Sequence, residues 1–178
     1  TPRKHRDYLV NNLLPKFDTE TYAFKYSGKN YGKNLDDLDI IKSLDTPDQH
    51  RVIKDFCDYF SNCSRAHNKG SQHIPVDIFN NSCFNLVTEA DQIGSHFFPT
   101  EKTYKSLMTG IPFVCVATQN FLSNIRKQGF RTYNELWNED YDLEPNHLTR
   151  LEMVVDLCVQ LQSFDWQANR EQLIDIAE

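Results

Sequence analysis

At 178 residues the chain fits one well-buried domain and is short for two. Hydrophobic residues at 39 %, charged residues at 25 % and aromatics at 12 % are the proportions of a globular protein, and no run approaches the roughly twenty consecutive apolar residues of a membrane span. The net charge of −6 is uneven: residues 1–33 hold seven Lys/Arg against three Asp/Glu, and the remaining residues twelve against twenty-two, which makes most of the chain poor material for sequence-independent nucleic-acid binding.

Near the amino end, Asp7–Leu14 reads as a short helix followed by Pro15, Thr21–Tyr26 alternates as a strand does, and Gly28–Lys33 is a loop. Leu35–Leu44 follows as a connecting or short helical segment. Thr46-Pro47-Asp48-Gln49 is a helix start with Thr as cap, Pro in the first turn and Gln at the capping-box position. The helix it opens is expected to run to Phe60, with Val52, Ile53, Phe56 and Tyr59 or Phe60 on its buried face.

Cys83–Thr88 is apolar and β-prone, and Glu89-Ala90-Asp91 lies just past its carboxyl end, where open parallel sheets bind ligands. Thr100 can cap a helix running through Thr109, with Gly110 ending it in the left-handed conformation, and Pro112–Ala117 reads as a fully buried strand. Thr118–Gln128 repeats the helical unit up to Gly129. His147–Ser163 and Trp166–Ile176 close the chain as helices, the first with Leu148, Leu151, Val154, Val155, Cys158 and Leu161 on one stripe. Strands alternating with helices of this length predict one α/β domain with a parallel sheet spanning residues 1–178.

The five cysteines are odd in number and scattered, three of them inside apolar runs, which suits reduced thiols and a cytoplasmic location. No charged-then-apolar leader precedes them, so the Asn-x-Ser triplets at Asn62 and Asn80 read as chance matches. The opening Thr1-Pro2-Arg3 lacks an initiator Met and reads as mid-loop, setting the expectation of a longer protein with a partner domain ahead of this one.

Among segments able to carry chemistry, Phe97–Lys102 puts a hydroxyl, a carboxylate and an ammonium on the first turn of a helix. A helix amino terminus attracts phosphate, Lys102 adds a full charge, and Glu101 can accept bonds from the vicinal hydroxyls of a ribose. The same Thr-Glu start is also an ordinary stabilising cap. Arg3-Lys4-His5-Arg6 could clamp a diphosphate, or be a solvated charge run. Asp37-Leu38-Asp39 has the spacing of a metal-holding acidic pair but lacks the preceding apolar strand, so no metal site is expected. The six histidines show no metal spacing, and neither a Gly-x-Ser-x-Gly elbow, a Gly-x-x-x-x-Gly-Lys loop nor a Gly-x-Gly-x-x-Gly fingerprint occurs, which removes structural zinc, triad hydrolysis, P-loop chemistry and the usual dehydrogenase. His96 is the histidine next to the Thr100 helix and stays a candidate.

Phe84-Asn85-Leu86-Val87-Thr88-Glu89, then Phe98-Pro99-Thr100-Glu101-Lys102-Thr103-Tyr104-Lys105, then Gly110-Ile111-Pro112-Phe113-Val114 resembles the donor-binding signature of fucosyltransferase-like enzymes. It is closer still to a group of uncharacterised glycosyltransferases of phages and large DNA viruses. Gly129-Phe130-Arg131-Thr132-Tyr133, Trp137-Asn138-Glu139-Asp140-Tyr141-Asp142 and the opening Pro2-Arg3-Lys4-His5-Arg6 are similar to further stretches of that group, so the likeness covers residues 1–10 and 78–142. Two features depart from the pattern: Glu89-Ala90-Asp91 stands where the fucosyltransferases have Glu-Asn-Ser, and the strand expected before Pro2 is missing.

The resemblance implies the Rossmann-like donor half of a GT-B-type glycosyltransferase, a parallel sheet with flanking helices, with no permanently bound cofactor or metal and a GDP- or UDP-sugar as co-substrate. It implies that Glu101 binds the ribose, that Lys102 and Arg6 act catalytically on the diphosphate with Arg3 beside them, that Glu89 lies near the nucleoside or sugar, and that Thr100 and Tyr104 belong to the donor surface. The acceptor, whether glycan, protein or modified DNA base, is left open, although the acidic balance speaks against DNA. Two other readings stay open: a non-catalytic nucleotide-binding or scaffold module of the same fold, and another enzyme class built on the same parallel sheet.

Overall fold

A computed structural model of the chain describes residues 4–17 and 82–178. The expected strand at Thr21–Tyr26, the Gly28–Lys33 loop, the Leu35–Leu44 segment, the helix from Thr46 to Phe60, and Arg3 and the Asp37/Asp39 pair all lie outside the described residues. The chain divides into two compact units, Thr1–His73 and Ile74–Glu178.

In the first unit, α1 spans Lys4–Leu13 and runs on into a 3-10 turn over Leu14–Lys16. The helix starts three residues ahead of the expected Asp7, because the basic run Lys4-His5-Arg6 is itself helical. Proline is tolerated where the chain leaves α-geometry, and Pro15 sits within the tighter turn that ends the helix. His5, Leu9 and Leu13 are buried, four residues apart along one face.

The second unit is a mixed helix and strand structure around a small parallel sheet. Strand β1 (Asn85–Thr88) crosses over through α2 (Glu101–Thr109) to β2 (Phe113–Val116), and the two strands pair in parallel from Asn85 opposite Phe113 to Thr88 opposite Val116. These are two strands among the described residues, flanked by helices. Every residue of β2 is buried, as its continuous apolar run requires for a strand covered on both faces. Helix α3 (Phe121–Lys127) follows and is ended by Gly129 at φ 93°. A 3-10 turn at Asp140–Asp142 leads to α4 (His147–Gln160), a second such turn at Leu161–Ser163 extends it, and α5 (Arg170–Ala177) ends the chain.

Helix α4 lies against β2 and buries Leu151, Val154, Val155, Cys158 and, just past its end, Leu161. Leu148, expected on that stripe, is 52 % exposed instead. It sits in the first turn, where the adjacent Asn146 cap, accepting from Leu148 N at 2.9 Å, starts the helix clear of the core. The last helix begins at Arg170 rather than Trp166, since Asp165 caps a separate turn by accepting from Ala168 N at 2.8 Å. Cys115 and Cys158 are buried free thiols, and burial pushes Cys158 up to about 12, so neither is a nucleophile at neutral pH; Cys83 is exposed.

Helix α2 presents Thr103 and Ser106 inward, both fully buried, and Asn85 Nδ2 donates to Ser106 Oγ at 2.9 Å. A helix whose inner face is made of small hydroxyl residues can approach the sheet closely but must satisfy each hydroxyl. Gly110 ends it at φ 67°, and a Cβ there would lie 3.0 Å from the Cβ of Ala177 on α5. The position therefore demands glycine on two grounds, backbone conformation and the close approach of α5. Gly110→Ala is expected to destabilise the protein by about 1–3 kcal/mol, read as a lower denaturant midpoint at unchanged slope.

Candidate functional site at the carboxyl edge of the sheet

The sheet and α2 meet at Glu89, the first residue beyond β1. Its backbone N–H still donates to Val116 O at 2.9 Å, continuing the strand pairing by one step. The side chain turns inward, 1 % exposed, and its two carboxylate oxygens gather the whole start of α2. Oε1 accepts from Thr100 N at 3.0 Å and from Thr103 Oγ1 at 2.6 Å; Oε2 accepts from Thr100 Oγ1 at 2.5 Å and from Lys102 Nζ at 3.1 Å. Thr100 Oγ1 accepts in turn from Lys102 Nζ at 2.7 Å and more weakly from Lys102 N at 3.4 Å. Burial raises the Glu89 carboxyl, but the Thr100 and Thr103 hydroxyls, the Thr100 N–H and the Lys102 charge together outweigh it and hold the group below the ordinary glutamate range.

This arrangement brings together three of the residues singled out from the sequence: Glu89, Thr100 and Lys102. Glu101 is exposed on the same first turn, and Tyr104, 36 % exposed, lies one turn further along α2. Lys102 keeps a third of its side chain in solvent. An ammonium has three hydrogens, and two of them are accounted for by Glu89 and Thr100. Arg6 is half-buried on α1 and belongs to the other unit; Arg3 lies outside the described residues.

The loop from Glu89 to Thr100 is closed at its ends by the Glu89 carboxylate and held along its length. Arg150, buried on α4, donates to Gln92 O at 2.7 Å and to Glu144 O. Thr118, just past β2, donates to His96 O at 2.8 Å, and the Phe97 ring meets the Phe121 ring with centroids 5.3 Å apart. Thr103, Thr118 and Arg150 went unnoticed in the sequence. For Thr103 a signal existed, since it falls three residues after the Thr100 cap and so on the same side of the helix; the other two act from segments distant in sequence.

The stretches Gly129–Tyr133 and Trp137–Asp142 form one structural frame. Glu139, buried, accepts from Thr132 Oγ1 at 2.7 Å, Tyr133 N at 3.0 Å and Arg126 at 2.8 Å; burial nonetheless raises its carboxyl above the ordinary range. Asp142 caps α3 from outside the helix, accepting from Leu122 N at 2.8 Å and from Ser123 N and Oγ at 2.9 Å each. The Tyr141 hydroxyl accepts from Cys115 N in β2 at 3.2 Å, and Trp137 stacks on Tyr133 at 4.9 Å. None of these groups faces Lys102 through a described bond.

Among the described residues no group of His, Cys, Asp and Glu could hold a metal ion, and no helix is long and apolar enough to cross a membrane. No family model, curated protein or solved structure matches the chain.

The depressed Glu89 carboxyl has a definite consequence for stability. A group whose folded value lies below its unfolded one contributes stability that is full above the unfolded value and is lost as the pH falls through the folded value. Glu139, shifted the other way, works in the opposite sense, gaining as the pH falls. Glu89→Gln should therefore cost about 1–3 kcal/mol at pH 7, because the amide keeps one acceptor oxygen where the carboxylate has two and turns an NH2 toward the donors, and the gap between wild type and variant should narrow below the ordinary glutamate range. Urea denaturation at pH 7 and in acid measures both; a gap independent of pH would contradict the buried-carboxylate account.

Proposed function

We propose that the protein is a glycosyltransferase that binds a nucleotide-sugar donor at the amino end of α2 and transfers the sugar without a bound metal. The observation that carries this reading is the pairing of an exposed carboxylate, Glu101, with a part-exposed ammonium, Lys102, on the first turn of the helix that leaves a parallel strand at its carboxyl edge. In open parallel sheets this edge is where ligands bind. The carboxylate suits the two vicinal hydroxyls of a ribose, and the ammonium together with the positive helix end suits the diphosphate. In this reading the described βαβ unit is part of a Rossmann-like donor half of GT-B type, the arrangement that the sequence likeness implies.

The chemistry asked of the residues is electrostatic. As the bond from the anomeric carbon to the diphosphate breaks, negative charge grows on the leaving oxygen, and a cation fixed in advance stabilises it without having to reorganise. Lys102 is so fixed, since Glu89 and Thr100 hold its ammonium from the buried side. Glu89 contributes to the donor site from beneath, by orienting Lys102, rather than by reaching the nucleoside itself.

A second reading, nucleotide binding without transfer, is favoured by the same clasp. A Glu–Lys–Thr cluster at a helix start stabilises a fold whether or not anything binds above it.

Calorimetric titration with UDP, GDP and their sugar conjugates tests the proposal. One nucleotide should bind, and Lys102→Ala and Glu101→Ala should each weaken it by about tenfold to a hundredfold, the equivalent of losing about 1.5–3 kcal/mol of charged hydrogen bond. Absence of binding by every nucleotide to the folded chain would sink the donor site. Binding of a nucleotide-sugar with neither transfer nor hydrolysis would favour the second reading.

A further inference from the structure

The loop that bridges Glu89 and Thr100 carries an exposed pair that the donor site leaves unused. His96 Nε2 lies 3.1 Å from Asp91 Oδ2, with the two side chains 56 % and 53 % exposed. Exposed pairs on mobile loops carry little meaning, but this loop is anchored at its two ends by Glu89, at Gln92 O by Arg150, at His96 O by Thr118 and at Phe97 by Phe121. Its tethers on Glu89 and Thr118 fix it across the carboxyl ends of both strands, the edge that holds Lys102.

The pair also has a defined chemical polarity. A carboxylate only accepts hydrogen bonds, so Asp91 selects the tautomer with the proton on Nε2 and leaves the lone pair on Nδ1. Nδ1 is turned toward Gly94, which has no side chain: a Cβ built there would lie 3.4 Å from Nδ1, and Gly94 holds φ 94°, a conformation in which other residues are strained. Glycine at this position leaves the space beside Nδ1 free of a side chain of its own.

Resting on the donor-site reading above, we propose that His96, oriented by Asp91, is the general base that deprotonates the acceptor hydroxyl. The acceptor oxygen forms a bond to the anomeric carbon as its proton passes to Nδ1; the bond from that carbon to the diphosphate oxygen breaks, and its electron pair leaves with the nucleoside diphosphate. The imidazolium sheds its proton to solvent. With water in place of the acceptor, the products are free sugar, nucleoside diphosphate and a proton, which makes the step measurable with the acceptor unidentified.

The test is the release of nucleoside diphosphate from the UDP- or GDP-sugar that binds, measured on the full chain, with donor affinity followed in parallel by calorimetry. His96→Ala should lower turnover by about a hundredfold or more while changing donor affinity less than threefold, and added imidazole should restore part of the lost rate, which a merely structural histidine would not permit. Asp91→Asn should lower turnover less, again at unchanged affinity. Turnover by His96→Ala within threefold of wild type, with donor still bound, would overturn the assignment and leave the donor site standing. Wild-type protein that binds donor but never hydrolyses it would overturn the assignment too, and failure of any donor to bind would remove the donor reading together with it.

Discussion

The second unit depends on one buried carboxylate. Glu89 ends β1, and through its four close contacts it decides where α2 begins, which way Lys102 points and how the intervening loop closes. A lone buried carboxylate would be costly to ionise. Here the charge is matched by one cation and three neutral donors, so the group stays ionised more readily than in water. Removing any one donor leaves the remainder holding a charge that is no longer balanced, so α2, the loop and the ammonium are coupled more tightly than backbone pairing alone would make them.

The same rule, polar groups bridging elements that apolar packing leaves loosely specified, recurs across the unit. The inner face of α2 is hydroxylic and is tied to β1 by Asn85 and Ser106. Asp142 supplies the cap that α3 lacks in its own sequence, where Asn120 sits at φ 62° and makes no side-chain cap. Glu139 ties Arg126 on α3 to the turn at Thr132 and Tyr133. The two described strands are four residues long, and these carboxylates tie the helices and turns around them to one another.

What could be read in the sequence follows from the range of the interactions concerned. The Thr100 cap, the left-handed Gly110 and Gly129, the buried run of β2 and the βαβ order are local signals, carried within a few residues, and the structure has each of them. Leu148 failed because periodicity continues to the nominal start of a helix whereas burial begins a turn later. Of the site, Thr100, Glu101 and Lys102 were legible as a helix start, and Glu89 as a residue at a strand end. Its inward turn was not, since that depends on Thr103 and Thr100 lying over it, a contact spanning the loop. The role of Trp137–Asp142 was likewise hidden, since its Glu, Tyr and Asp are turned inward as bridges to α3, β2 and the Thr132 turn, all contacts that span other segments.

That inward turn bears on how a site can be both stable and reactive. A lysine free in solvent loses side-chain entropy when it meets a phosphate, and its ammonium must find its direction anew each time. A lysine sunk wholly into an ion pair has no charge left to offer. Lys102 stands between: two of its hydrogens are committed below, and a third of the side chain remains in water. The cost of orienting it has been met during folding, by donors that Glu89 would need in any case. The clasp takes up the Thr100 N–H for Glu89 and leaves the outer side of Lys102 to solvent. The face that α2 turns to solvent at this edge is therefore the one that carries Glu101 and the outer part of Lys102.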